Sequence, residues 1–211
     1  MKTKAICIFV MLMLFFQTAS ATNCMNEEQT ITYDLVYTEN LMLTNKNLIA
    51  IPLDSDIKTA FQLMTAIGSN CDAINRWNPE TQAWEGWISR LGGIGVNFEI
   101  LPDEAYEISV SKDTTFSITG TPSDIKPLYL IKPDKTTSKN YIALPYDTTI
   151  SNADELLHSI PNCDTVNRWN PETQRWEGYI NLFGGMGTNF PVRQGEGYLI
   201  TVTENTIWTP L

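Results

Sequence analysis

The amino-acid sequence predicts an α+β protein of two tandem homologous domains, each a mostly antiparallel β-sheet or sandwich with one packed helix. Two observations carry this prediction. The octamer NRWNPETQ occurs at 75–82 and again at 167–174. In each copy the apolar residues also change along the chain from helical spacing to strict alternation. The repeat places one domain, with an N-terminal arm, at 22–121 and the other at 122–211.

The match between the two copies extends well beyond the octamer. Residues at a constant offset of 92 include Cys71 and Cys163, Gly92-Gly93 and Gly184-Gly185, and Tyr106 and Tyr198. A duplication of this length makes each copy about the size of a small autonomous fold. The sequence therefore predicts two domains and not a solenoid.

Each copy is expected to begin with two strands followed by a helix. The segments 31–38 and 127–132 are rich in β-branched and aromatic residues, and NLIAIP or NYIALP follows as a second strand. Apolar residues spaced i, i+3, i+4 and i+7 then predict helices at 57–67 and 150–160. Asp54 to Asp56 are candidate N-caps for the first helix, and Gly68 or Pro161 ends each helix.

The rest of each copy reads as antiparallel strands. Pro79 and Pro171 fit the second position of a type I turn, which makes each octamer a hairpin. Trp77 with Trp84, and Trp169 with Trp176, are expected to pair across that hairpin and to be structural. A glycine-rich loop follows, and Tyr106, Ile108 and Val110 then alternate as one buried face.

The first residues predict export. Residues 1–21 have lysines, an apolar run and a small-residue cleavage pattern, as in a signal peptide. The mature chain is therefore expected to be secreted, either extracellular or at the cell surface, without membrane insertion. The net charge of −10 becomes about −12 without Lys2 and Lys4, which argues against nucleic-acid binding.

The mature chain keeps three cysteines, Cys24, Cys71 and Cys163. We expect Cys71 and Cys163 to be buried small apolar residues behind the helix. A bridge from Cys24 to one of them stays an alternative, as does a Cys71–Cys163 bond across a local twofold. No metal-ligand spacing is present, so no metal or cofactor is predicted.

Two resemblances are visible in the motifs. The stretch RWNPETQAWEGW resembles the aromatic, Asn-Pro, turn and tryptophan pattern of kelch repeats, although Gly92-Gly93 follows the hairpin here and a propeller needs more blades. More of the chain resembles modules of unknown activity from secreted and cell-surface proteins of bacteria and archaea, with NLIAIP-type and GEGYLI-type strands. The first copy departs from the GEGYLI-type strand at PDEAYEI, which lacks its two glycines. This resemblance implies a surface location.

The sequence offers little for catalysis. The single histidine, His158, lies off the apolar face of its helix, which argues against a hydrolytic triad. Glu80 with Glu85, and Glu172 with Glu177, are candidate acid and base pairs of a glycoside hydrolase. Turn glutamates are more often solvated, so the sequence predicts a protein that is not an enzyme.

Binding or assembly is the favoured function. Trp87 and Tyr179, beside the glycine loops Gly92-Gly93 and Gly184-Gly185, are expected to stay partly exposed as ligand or interface residues. Extracellular glycan is one candidate ligand, which would make the chain a carbohydrate-binding module. The preferred interpretation is a non-catalytic structural or adhesion protein that contacts itself or other surface proteins. Residues 31–38 either take the place that 127–132 takes in the second copy, or add as a strand to a neighbour.

Overall fold

A computed structural model describes residues 27–39, 44–134 and 137–210. The predicted signal peptide and Cys24 lie outside the described residues. The described chain is mostly antiparallel β-sheet with two α-helices, which confirms the predicted β-rich α+β class.

The described residues of the first repeat form eight strands, one α-helix and a short 3-10 helix at Arg90–Gly92. In chain order the strands and the α-helix are β1 (Gln29–Leu35), β2 (Lys46–Ala50), β3 (Leu53–Ser55), α1 (Ala60–Ile67), β4 (Cys71–Asn78), β5 (Ala83–Ile88), β6 (Ile94–Gly95), β7 (Ala105–Val110) and β8 (Thr114–Pro122). One sheet has the order β2-β7-β4-β5-β6, and a smaller one has the order β1-β8-β3.

The second repeat has the same plan with a shorter small sheet. Its elements are β9 (Leu128–Leu130), β10 (Asn140–Ile142), α2 (Ala153–Ser159), β11 (Cys163–Asn170), β12 (Arg175–Ile180), β13 (Met186–Gly187), β14 (Tyr198–Val202) and β15 (Thr206–Trp208). The large sheet has the order β10-β14-β11-β12-β13, and β9 pairs with β15.

The N-terminal strand lies in the sheet of its own chain. β1 pairs with β8 so that Leu35 lies opposite Thr114, just as Leu130 of β9 lies opposite Thr206. Ile31, Tyr33 and Leu35 point into the core and are buried. Residues 29–35 thus occupy the position that Leu128–Leu130 occupies in the second repeat.

The two helices start later than the apolar spacing predicts. Thr59 caps α1 and Asn152 caps α2, because their side-chain oxygens accept hydrogen bonds from backbone N–H groups in the first turn. Asp54 lies within β3 instead, so the expected caps at Asp54 to Asp56 are wrong for the first helix. Gly68 does end α1, with φ of 98°.

Each repeat has its own hydrophobic cluster. One is built from residues between Ile31 and Ile118 and the other from residues between Leu128 and Trp208. Cys71 and Cys163 lie in these clusters as free, buried thiols, and burial raises the pKa of each to about 12. Neither cysteine forms a disulfide within the described part of the chain, so the Cys71–Cys163 bond does not occur.

Candidate functional site

The hairpin of the first repeat reaches into the second repeat. The Trp77 Nε1–H donates to the Lys139 carbonyl at 2.8 Å. The Gln82 side-chain amide makes two hydrogen bonds to the backbone of Lys139. Its Nε2 donates to the Lys139 carbonyl at 3.1 Å, and its Oε1 accepts from the Lys139 N–H at 3.0 Å. The tip of the octamer therefore binds the backbone just before β10.

The second hairpin makes the same contacts in the reverse direction. Trp169 Nε1–H donates to the Lys46 carbonyl at 2.7 Å, and Gln174 brackets Lys46 with bonds of 3.0 and 2.8 Å. The hairpin of the first repeat thus binds the backbone just before β10, and the hairpin of the second repeat binds the backbone at the start of β2. We call this reciprocal contact between the repeats the seam, and it gives a structural reason for the repeated octamer.

The seam also covers the free edges of the two large sheets. The Ala50 N–H of β2 donates to the Gly195 carbonyl at 2.8 Å, and the Ala143 N–H beyond β10 donates to the Asp103 carbonyl at 3.0 Å. Gly197 and Ala105, equivalent residues of the two repeats, face each other here. A methyl group added at Gly197 would lie 2.5 Å from the Ala105 Cβ.

The hairpin turn forms as its sequence predicts. Asn78 Oδ1 accepts the N–H groups of Glu80 and Thr81 at 3.0 and 3.1 Å, with Pro79 between them. Asn170 does the same beside Pro171. The tryptophan pairs meet edge to face at 5.2 Å in both repeats, as expected for cross-strand aromatic partners.

Behind each hairpin, an arginine holds the candidate catalytic glutamate. Arg76 Nε contacts Glu85 Oε2 at 2.7 Å, and Asn78 Nδ2 donates to the other oxygen at 3.0 Å. The hydrogen bonds from Asn78 and then Arg76 lower the pKa of Glu85. Arg168 and Asn170 hold Glu177 in the same way, and its pKa is also lowered. Both carboxyls are therefore ionised at neutral pH and hold no proton for general acid catalysis.

A second glutamate on each arginine behaves in the opposite way. Burial raises the pKa of Glu104, although Arg76 Nη1 lies 3.9 Å away and the Tyr106 hydroxyl donates to it at 3.2 Å. Burial likewise raises the pKa of Glu196. Sequence reasoning missed this arginine network, although its residues are identical in both repeats.

The glycine loops lie directly over Trp87 and Tyr179. Gly93 and Gly185 have φ of 114° and 119°, and a Cβ at either position would collide with the ring beneath it. Gly92 and Gly184 also have positive φ but have open space around them. These four candidate glycines thus shape a tight turn over a ring.

The structure confirms the predicted partial exposure of Trp87 and contradicts that of Tyr179. Trp87 is half-buried against the first cluster, and its Nε1–H is buried without a hydrogen-bond partner. Tyr179 is only 9% exposed, and its hydroxyl donates to Asp154 at 2.9 Å. The expected exposure of Tyr179 is therefore wrong, because the Gly184-Gly185 turn covers its ring.

The glycine loops beside Trp87 and Tyr179 expose other apolar residues. Leu91 and Phe183, at equivalent positions, are each 95% exposed and have left-handed φ of 55° and 52°. Around them, residues that are apolar in both repeats are also exposed: Ile88 and Ile180, and Ile94 and Met186. We call these residues the glycine-loop tips: Ile88, Leu91 and Ile94 in the first repeat, and Ile180, Phe183 and Met186 in the second. Sequence reasoning missed them because it read the loops for their glycines.

A second exposed surface lies on the seam. Trp84 and Trp176 are 39% and 41% exposed, and Tyr141 of β10 lies between them. The Trp84–Tyr141 and Tyr141–Trp176 centroid distances are 4.9 and 6.1 Å. Trp84 and Trp176 thus pair with a tryptophan of their own hairpin and also keep part of their surface accessible.

Comparison with known proteins adds no relative, since no family model, no curated protein and no solved structure matches the chain. The resemblance to bacterial and archaeal surface modules stays a prediction. Across the described ranges, none of the helices has the length and apolar character needed to cross a membrane. The same residues contain no group of three side chains suited to a metal ion.

Proposed function

We propose that this chain is a secreted, non-catalytic adhesion protein of two domains that contacts copies of itself or other surface proteins through the glycine-loop tips. The observation that carries the proposal is the near-complete exposure of Leu91 and Phe183 at equivalent positions. The two separate hydrophobic clusters support the two-domain organisation.

Burial of the exposed tips by a partner would be favourable. A fully exposed leucine or phenylalanine forgoes about 1.5–3 kcal/mol that burial would provide, and the left-handed backbone adds strain for a residue with a Cβ. Both repeats nevertheless keep an apolar residue at these positions and at the flanking ones. The short strands β6 and β13 also lie at open sheet edges beside the tips, where backbone groups are available for pairing.

The test is a double variant, Leu91→Ser with Phe183→Ser, measured by light scattering and by adhesion of the protein to whole cells. We expect the unaltered protein to form multimers or adhere, and the variant to lose this without a change in its urea midpoint. Ile207→Ser is the matched control, since Ile207 is 63% exposed but lies on β15 away from the loops. Unchanged association in the double variant would remove the tips from the proposal.

Strand addition through residues 31–38 is a separate route to assembly. A β1 strand donated to a neighbouring copy would keep the same pairing, in which Thr32 lies opposite Ser117. Cysteines at these two positions, in a Cys24→Ser background, should cross-link within one chain and migrate as a monomer. A ladder of covalent multimers on a non-reducing gel would instead assign assembly to this strand.

A hydrolytic function is the least supported candidate. Hydrogen bonds from arginine and asparagine lower the pKa of Glu85 and Glu177, so neither residue suits the role of the general acid in the predicted Glu80–Glu85 and Glu172–Glu177 pairs. Glu80 and Glu172 lie in the hairpin turns. Hydrolysis of a polysaccharide by the pure protein, lost on changing Glu85 and Glu177 to Gln, would overturn the non-catalytic assignment.

A further inference from the structure

We propose that the row formed by Trp84, Tyr141 and Trp176 on the seam binds an uncharged oligosaccharide. The proposal is independent of the glycine-loop tips, because it uses other residues on another surface. It also differs from the expectation for Trp87 and Tyr179, which the glycine loops cover.

The three rings provide the apolar part of such a site. Sugar rings present C–H faces that pack on the electron-rich faces of aromatic side chains, and Trp84 and Trp176 each keep about two fifths of their surface accessible. The planes of Trp84 and Trp176 are inclined by 61° and 65° to that of Tyr141. The three rings therefore do not form one flat platform. We call their arrangement the notch, and it suits a short or twisted glycan better than a flat crystalline one.

A free hydroxyl supplies a polar contact in the same place. The Tyr141 hydroxyl makes no hydrogen bond to any described residue, and it is not among the buried unsatisfied atoms, so it reaches solvent. Burial of the side chain and the nearby Glu107 charge both raise the pKa of Tyr141. The hydroxyl thus stays protonated over the physiological range and can donate to a sugar oxygen.

The carboxylate whose charge acts on Tyr141 is paired with a lysine. Glu107 is itself neutralised by Lys46 at 2.9 Å and accepts a hydrogen bond from Asn75 at 3.2 Å. The chain as a whole carries a net charge of −10, which repels sulfated or uronic-acid glycans. Ligand specificity at the notch would then come from ring stacking and hydroxyl hydrogen bonds.

The site occurs once per chain. The residue equivalent to Tyr141 in the first repeat is Leu48, which is 9% exposed. An equivalent aromatic row therefore does not form around Leu48. The two tryptophans come from different repeats, and the intact seam holds them on either side of Tyr141. We therefore expect one oligosaccharide per chain.

The experiment titrates the mature protein with soluble hexasaccharides of glucose, N-acetylglucosamine, mannose and xylose, followed by calorimetry and tryptophan fluorescence. At least one sugar should bind with a stoichiometry of one. Trp84→Ala with Trp176→Ala should weaken this binding at least about tenfold. Tyr141→Phe keeps the ring and should weaken it about two- to tenfold through the lost hydroxyl.

Two controls make the result decisive. Tyr129→Ala removes a tyrosine that is 70% exposed on β9, and Leu91→Ser with Phe183→Ser removes the tips; both should bind sugar as the unaltered protein does. Urea midpoints separate lost binding from lost folding, and the Tyr141→Phe variant tests the site if the tryptophan variant unfolds. The proposal is overturned if none of the four sugars binds, or if binding survives both seam variants while they remain folded.

Discussion

Gly197→Ala tests whether the two repeats meet as closely as the seam requires. The new Cβ would lie 2.5 Å from the Ala105 Cβ and 3.0 Å from Leu48 Cγ, whereas carbon atoms in contact are normally about 3.5–4.0 Å apart. One backbone must therefore move by about 1 Å. Overpacking of this kind typically costs about 1–3 kcal/mol, and the loss of glycine flexibility in the unfolded chain offsets about 0.4–1 kcal/mol. We expect a net loss of about 1–2 kcal/mol in the free energy of unfolding.

The decisive variant exchanges the two residues across the seam. Ala105→Gly alone should cost about 1–2 kcal/mol, from the lost buried methyl group and the added backbone freedom. Combined with Gly197→Ala, it removes the methyl that the new Cβ strikes. The double variant should therefore be more stable than the sum of the single effects predicts, by about 1 kcal/mol.

Urea unfolding followed by tryptophan fluorescence measures all four proteins of this cycle. Equal m-values would show that the variants differ in stability and not in compactness. Strict additivity of the two single effects would refute the contact between Ala105 and Gly197, and with it the close approach of the repeats at this point.

The remaining predictions concern the arginine network and the glycine loops. Glu85 and Glu177 have lowered pKa values in the folded chain, so their stabilising effect is present above the unfolded pKa and is lost as the pH falls through the folded pKa. The stability difference between the unaltered protein and Glu85→Gln with Glu177→Gln should therefore shrink between pH 7 and pH 3, and a constant difference would contradict the assigned shifts. Gly93→Ala should be more destabilising than Gly92→Ala in urea melts, because both have positive φ but only the first places a Cβ against a ring; equal losses would mean that backbone strain alone decides.

Local patterns account for much of the fold. The apolar spacing around Leu63 and Leu156 locates both helices, since burial of one helical face repeats every three to four residues. The alternation from Tyr106 to Val110 locates a buried strand, and Asn78-Pro79 locates the hairpin turn. These features depend on residues close in sequence, which a single chain displays directly.

The seam depends on residues far apart in sequence, and its contacts were not predicted. Gln82 bonds with Lys139 across 57 residues, and Trp169 bonds with Lys46 across 123. The residues around Gln82 in the sequence do not distinguish a solvated turn residue from one that hydrogen-bonds a backbone segment far away in the chain. The identity of the whole octamer was the available signal, since a hairpin that only folds back on itself does not need every residue of its turn to be the same.

The unequal pair at the seam, glycine in one repeat and alanine in the other, has a consequence for association between separate chains. Each repeat contains both a hairpin that donates the seam hydrogen bonds and a backbone segment that accepts them. A fragment with one repeat therefore has all the groups needed to bind a second copy of itself. In such a homodimer the residue nearest the twofold axis would meet its own copy. Two glycines fit there, whereas two alanines bring methyl groups together. The difference between Gly197 and Ala105 therefore favours pairing between unlike repeats over pairing between two first repeats.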